Sequence, residues 1–227
     1  MTRILVSYDG TDADRDALEL GRLLARAGAA LELAYVRHAH EAESGRERLA
    51  ENEAEALLKG GASALGSEDV PVHVVLSAST AEGLRNLALD LKADVIVFGS
   101  EYRTARSHVD PQASARRLID GGPVAVALAP AGFAEEPEHR VATIVPIVED
   151  GDTAAVETAE TLAARFGAAV ARHPNRDAAD LLVVASKAGV GPGRVTISAA
   201  AEYVIELATC PVLVLPRGVA LSFDGKA

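Results

Sequence analysis

Short apolar runs alternate along this chain with longer stretches whose apolar positions recur at helical spacing. Residues 3–8, centred on Ile4-Leu5-Val6, predict a buried strand. Asp9-Gly10-Thr11-Asp12 is turn chemistry, with Thr11 or Asp12 as the cap of a helix. Leu20, Leu23, Leu24 and Ala27 lie on one face of that helix, and Gly28 closes it. Residues 31–36 predict a second strand. Glu41 to Leu65 reads as a charged helix anchored by Leu49, Leu57 and Leu58, its charge run a solvated face. Val72 to Leu76 is a third strand, and Ser79-Thr80 caps a helix carrying Leu84, Leu87 and Leu91. Residues 94–98 form a fourth strand. Asp110 suits an N-cap and Pro111 the first helical position after it. Gly121-Gly122 stops that helix, and Val124–Leu128 is a fifth strand. Strands alternating with helices imply a parallel sheet covered on both faces.

The second part of the chain repeats the first in shorter form. The stretch Gly99 to Pro130 is entered by Val95-Ile96-Val97-Phe98 and left by Val124–Leu128. It recurs between Leu181-Leu182-Val183-Val184 and Val212–Leu215, and the two copies end alike, in Pro123-Val124 and Pro211-Val212. Strand one recurs at 141–148, helix one at 153–166, and a short strand at 168–172. Only Pro174 to Asp180 separates that strand from the next apolar run, so the second helix, third strand and third helix have no counterpart. The expected organisation is a domain at 1–130, a linker at 131–140, a truncated domain at 141–217 and a tail at 218–227. Val219 to Phe223 could add an edge strand.

Composition narrows the function classes. Hydrophobic residues make up 49% and charged residues 24% of 227, ordinary for a globular protein. The net charge of −11 disfavours nonspecific nucleic-acid binding and an anionic membrane surface. Cys210 is the only cysteine, so no internal disulfide and no cysteine zinc site can form. It reads as a buried small apolar residue. The N-terminal run turns polar too soon for a secretory signal, and no apolar run spans a membrane. The expected location is the cytoplasm. His38 and His40 share one side of an extended segment, but with no third ligand in view they read as a solvated strand end. No Walker loop, Gly-x-Gly-x-x-Gly, Gly-x-Ser-x-Gly or His-Glu-x-x-His occurs.

The order of apolar strand, Gly-Ser, basic loop, helix and Pro-Val strand resembles the universal stress protein family. The opening ILVSYDGTDADRDALEL resembles it too. The resemblance covers most of the chain as two tandem copies. It implies two flavodoxin-like α/β domains of strand order 3-2-1-4-5, resembling adenine-nucleotide α-hydrolases, with the second domain shortened to four strands. Family members pair their subunits through fifth strands. Here Val124–Leu128 and Val212–Leu215 would pair within one chain as an internal pseudo-dimer, which removes an exposed edge from each domain.

Ligands of such sheets bind where strand order reverses, here between strands one and four. The resemblance implies an adenine-nucleotide site at Asp9, Val36, Gly99, Ser100 and Arg103. Asp9 would accept from an adenine amino group or a ribose hydroxyl, beside strand-two backbone near Val36. Asp9 reads equally as a turn residue. ATP-holding members carry Gly-x-x-Gly, nine residues, then Gly-Ser or Gly-Thr, so that backbone N–H groups reach the phosphates. This chain keeps Gly99, but Tyr102 and Gln112-Ala113 stand at the other positions. Pro111 removes a donor and Asp110 adds a negative charge. Arg103, Arg106 and His108 would compensate in part. In the second copy the positions read Ala185, Ala188 and Ser198-Ala199, and Ile147 or Val148 replaces the strand-one carboxylate. Gly189, Gly191 and Gly193, flanked by Lys187 and Arg194, read as a flexible surface loop, with a lodging for a small anion as the alternative.

The resemblance therefore implies a non-catalytic stress-response regulator acting through a surface offered to a protein partner, with a degenerate nucleotide site. An ATP-binding switch in the first domain is the alternative. A slow ATPase ranks last, because no nucleophile–base pair supports it.

Overall fold

The computed structural model describes residues 1–38, 47–66, 69–136, 138–171 and 179–223. The first half contributes β1 (Arg3–Ser7), α1 (Asp12–Arg26), β2 (Ala30–His38), α2 (Glu47–Ala64), β3 (Val72–Ser77), α3 (Thr80–Leu91), β4 (Val95–Phe98), α4 (Ala113–Ile119) and β5 (Ala125–Leu128). The second contributes β6 (Thr143–Ile147), α5 (Ala154–Phe166), β7 (Ala169–Val170), β8 (Leu181–Val184), α6 (Ala199–Glu206) and β9 (Val212–Val214). A 3-10 turn, Phe133–Glu135, lies between them.

All the strands belong to one sheet of order β3-β2-β1-β4-β5-β9-β8-β6-β7. The first half runs 3-2-1-4-5, and the second repeats it, with no third strand among the described residues. Every pairing is parallel except that of β5 with β9, where Val126 faces Val214 and Leu128 faces Val212. The halves therefore meet edge to edge about a local two-fold axis. β4, β5 and β8 are buried along their whole length, as expected of strands covered on both faces.

Each face carries one apolar cluster. On one, α1, α2 and α5 pack through Leu20, Leu24, Leu58 and Leu162. On the other, α3, α4 and α6 pack through Leu84, Leu118 and Ile205. α1 begins as the turn chemistry predicts, with Thr11 as N-cap and a capping box to Asp14. α3 is capped by Ser79, whose side chain accepts from the Glu82 N–H.

Two expectations are corrected. α4 does not start at Pro111: its N-cap is Gln112 and its first residue Ala113. Asp110 and Pro111 stay extended because Pro111 bridges to Ser100 and the Asp110 carbonyl accepts from the Glu101 N–H at 2.9 Å. Val219–Phe223 is not a strand. Leu221 and Phe223 are buried in the α1–α5 cluster instead. The tail's backbone groups are taken by side chains: Leu221 N–H donates to Thr158 Oγ1 at 2.9 Å, and Thr161 Oγ1 donates to Leu221 O at 3.0 Å. Thr2 Oγ1 donates to Ser222 O, which fastens the tail to the first half. His38 is exposed at the end of β2, while His40, the first part of the charged helix and most of Pro174–Asp180 lie outside the described residues.

Candidate functional site: the crevice between β1 and β4

β1 and β4 are neighbours, so the strand order reverses between them. A cleft of about 760 Å³ opens beyond their carboxyl ends. Of the sequence-predicted residues, Asp9, Ser100, Tyr102 and Gln112 line it.

Asp9 sits in the turn between β1 and α1. Its N–H donates to Asp14 Oδ2 at 2.8 Å, and its own Oδ1 accepts from Thr11 N–H at 3.2 Å. Thr11 N–H also reaches Asp14 Oδ2, at 3.0 Å. Asp14 is buried. Burial, then the hydrogen bond and charge of Asp9, push its carboxyl up to about 7. The same bond holds Asp9 below the usual carboxylate range. Of the coupled pair, Asp14 is the carboxyl that holds its proton to higher pH and Asp9 the one that gives it up first.

Gly99 has a packing reason that sequence spacing does not show. A Cβ there would stand 1.9 Å from the carbonyl oxygen of Ala13, in the first turn of α1. The glycine lets α1 close onto the end of β4. Gly99 is absent from the cleft wall. Ser100 is buried, and its Oγ–H donates to Ala129 O at 2.7 Å while its oxygen accepts from Asp110 N–H at 3.3 Å. Its hydroxyl ties together the ends of β4 and β5 and the returning loop.

Val36 does not join the cleft. It is buried beneath α3, where a Cβ on Gly83 would come within 2.9 Å of it. The basic loop residues are also placed elsewhere. Arg103 is exposed, its guanidinium 5.0 Å from the ring centre of Tyr102. Arg106 pairs with Glu135 at 2.6 Å, and His108 Nδ1 lies 3.1 Å from Arg106 O. Of these three only Arg106 pairs with a carboxylate of the cleft wall, Glu135, and none of the three lines the cleft itself.

Carboxylates reach it instead. Asp9, Asp12, Asp16, Glu101 and Glu135 line the wall, against Arg15. Asp16 accepts from Gly132 N–H at 2.9 Å and Ala134 N–H at 2.7 Å, which docks the 3-10 turn onto α1. The run Asp12-Ala13-Asp14-Arg15-Asp16 is visible in the sequence. Its convergence with Glu101 and Glu135 needs the fold.

In the second half the registers correct the expected loss of the strand-one carboxylate. β1 pairs β4 with Ile4 opposite Val95, and β6 pairs β8 with Ile144 opposite Leu181. Counting on from there, Glu149 stands where Asp9 does. It accepts from Ser198 Oγ at 2.5 Å, and Ser198 caps α6. Arg217 donates to Ser186 O at 3.1 Å and to Asp150 O, next to Glu149. The glycine loop is pinned as well: Gly193 N–H donates to Arg217 O at 2.9 Å and Val195 N–H to Gly122 O at 2.8 Å. Arg194 reaches Gly121 O at 3.2 Å. Cys210 is buried, as expected. Among the described residues no group of three or more His, Cys, Asp or Glu side chains could hold a metal ion. No helix there is long and apolar enough to cross a membrane.

Fold and crevice together define a doubly wound α/β protein, built twice, with a ligand-type crevice at the strand-order switch. The universal stress protein family model matches residues 1–130, and the chain belongs to that family. Among solved structures, a universal stress protein from Archaeoglobus fulgidus DSM 4304 is similar over 95% of this chain and 98% of its own, with a TM-score of 0.68 at 14% identity. A putative universal stress protein from Pseudomonas aeruginosa UCBPP-PA14 is similar over 96% of this chain and 94% of its own, with a TM-score of 0.63 at 14% identity. These likenesses are of fold. No curated protein matches the chain.

Proposed function

We propose that this chain is a non-catalytic, cytoplasmic stress-response protein that acts through surfaces offered to a protein partner, and that its β1–β4 crevice no longer holds a nucleoside triphosphate. The acidic wall carries the reading. Five carboxylates line the cleft against Arg15, and only Glu135 among them is paired to a further arginine, Arg106, so a triphosphate entering it meets net repulsion. The start of α4 adds to this. Pro111 has no N–H to donate, and the Gln112 side chain turns back to Ser100 O at 3.4 Å. The glycine kept from the family pattern serves helix packing. In the second half Arg217 ties Ser186 O to Asp150 O beside Glu149, the counterpart of Asp9. β9 already covers the edge of β5, so the chain needs no second copy there.

Calorimetric titration of the full chain with Mg-ATP tests the reading. No heat of binding is expected at micromolar protein and nucleotide up to about 1 mM, a weakness equivalent to less than roughly 4 kcal/mol of binding. A micromolar Kd would replace this proposal with the ATP-binding switch.

A further inference from the structure

A second cleft, of about 320 Å³, opens on the seam between the halves. Its wall combines Pro130, Phe133, Glu136 and His139 from the segment after β5 with Asp180 and Cys210 from just before β8 and β9. His139 stacks on Phe133 with ring centres 3.6 Å apart and planes at 13°. Its side chain is only 7% exposed, and Nδ1 lies 3.8 Å from the Glu136 carboxylate. Nε2 is buried and has no hydrogen-bond partner among the described residues.

The Glu136 charge favours the tautomer with its proton on Nδ1, which leaves an unfilled lone pair on Nε2. A buried acceptor without a donor is costly, so a ligand that donates here supplies a bond that no group among the described residues does. Charge selects its sign: Glu136, Glu138 and Asp180 face one cation, Arg140. Asp180 supplies field more than contact, since its Oδ2 already accepts from Ala142 and Thr143 N–H, both at 2.8 Å. That field reaches Cys210. Burial first, then Asp180, push its thiol up to about 12, so the thiol stays neutral and unreactive. Leu23, Pro130, Val141 and Pro211 supply an apolar floor for a ring-sized body.

We propose that this cleft binds a small organic cation, a protonated amine on a ring-sized apolar body, whose N–H donates to His139 Nε2 while Glu136 and Glu138 balance its charge. The site is separate from the β1–β4 crevice, and neither reading depends on the other.

The test is a titration of the full chain with benzylammonium, followed by the imidazole ¹⁵N resonances of His139. Benzyl alcohol and benzoate serve as neutral and anionic counterparts. Benzylammonium is expected to shift Nε2 saturably, benzyl alcohol to bind at least about tenfold more weakly, and benzoate not at all. His139→Phe keeps the stack on Phe133 and removes the acceptor. It should weaken benzylammonium at least about tenfold, read by calorimetry, and unfold no earlier than the wild type. Glu136→Gln keeps the shape, and should weaken benzylammonium severalfold while leaving benzyl alcohol unchanged. No saturable shift with benzylammonium, benzoate binding as tightly, or unchanged benzylammonium affinity in both variants would each overturn the proposal.

Discussion

Ser100 and Ser186 make the same bond in the two halves of the chain. Each hydroxyl donates to a carbonyl just beyond the last strand of its half, Ala129 O and Leu215 O, at 2.7 Å in both cases. Each also accepts a backbone N–H from the loop that returns to the next helix, Asp110 at 3.3 Å and Thr196 at 3.0 Å. Both serines are buried. The small hydroxyl residue after the fourth strand thus has a structural task that persists in both copies.

Serine to alanine at either position strands a buried carbonyl and a backbone N–H. Each variant is expected to lose about 1–3 kcal/mol. The sites share no partner, so the double variant should lose close to the sum. Urea unfolding should show lower midpoints at unchanged slope.

Gly99→Ala is expected to destabilise the chain by about 1–3 kcal/mol or more, since the added methyl meets the Ala13 carbonyl oxygen, a backbone atom that moves only with α1. Ala185, in the corresponding place of the second half, is fully buried and already carries that methyl. Thermal unfolding of Gly99→Ala beside Ala185→Gly reads the contrast. A large drop is expected for the first and about 1 kcal/mol or less for the second.

Rebuilding the phosphate pattern with Tyr102→Gly, Gln112→Gly and Ala113→Ser is not expected to bring ATP affinity into the micromolar range by itself. The carboxylates of Asp12 and Glu101 still line the cleft, and α4, Ala113–Ile119, is short. Adding Asp12→Asn and Glu101→Gln should strengthen binding further, on the order of tenfold for each repulsion removed. Calorimetry on the triple and quintuple variants decides whether charge or the missing glycines dominate.

Much of this was legible from residue order. The alternation of short apolar runs and amphipathic stretches placed the first-half strands and the helices between them, apart from the start of α4, and the recurrence of Gly99–Pro130 exposed the second copy. What stayed hidden was set by contacts distant in sequence. Asp110-Pro111 has good local helix-start chemistry, but the bridge from Ser100 to Pro111 holds it extended. Val148 prolongs the apolar run past β6 and hid Glu149, whose equivalence to Asp9 appears only through strand register. Leu221 and Phe223 alternate like a strand because both are buried in a core, yet side chains of α5 take the backbone bonds of Leu221. Of the candidate site, Asp9 and Ser100 reach the crevice, while Gly99, Val36 and Arg103 do not line it. Spacing alone does not say which face of a strand end is covered by the next helix.

Phe223 is fully buried among residues of α1 and α5 although it lies near the chain's end. Phe223→Ala is expected to cost about 3–5 kcal/mol. The loss should lower the unfolding of both halves together, because the tail is tied to α5 through Thr158 and Thr161 and to the first half through Thr2. Hydrogen exchange in β1 and β6 should rise in parallel. Exchange confined to the second half would show that the tail serves α5 alone.

The Asp9–Asp14 pair makes stability depend on pH in a direction opposite to that of most carboxylates. Asp14 has a folded value of about 7, above its unfolded value of 3.8. Between those two values the folded state holds more protons than the unfolded state. Stability from this group is therefore fully present below about 4 and is lost as pH rises toward and through about 7. A rise of about three units is on the order of 4 kcal/mol, part of which the lowered Asp9 returns above its own unfolded value of 3.8. Glu32 has the ordinary sign. Hydrogen bonds to Arg3 and His73 outweigh its burial and lower its value, so its contribution is present at neutral pH and fades in acid. Asp14→Asn separates the two. Its Oδ1 still accepts from Asp9 and Thr11 N–H, and its Nδ2–H donates permanently to the Asp9 carboxylate, as the protonated acid does. The variant is expected to match the wild type near pH 5, to exceed it by about 2 kcal/mol at pH 8, and to flatten the decline between them. Urea unfolding at those two pH values measures this. A variant less stable than the wild type at pH 8 would mean that Asp14 is ionised in the folded chain and that its charge at the start of α1 is what the helix needs.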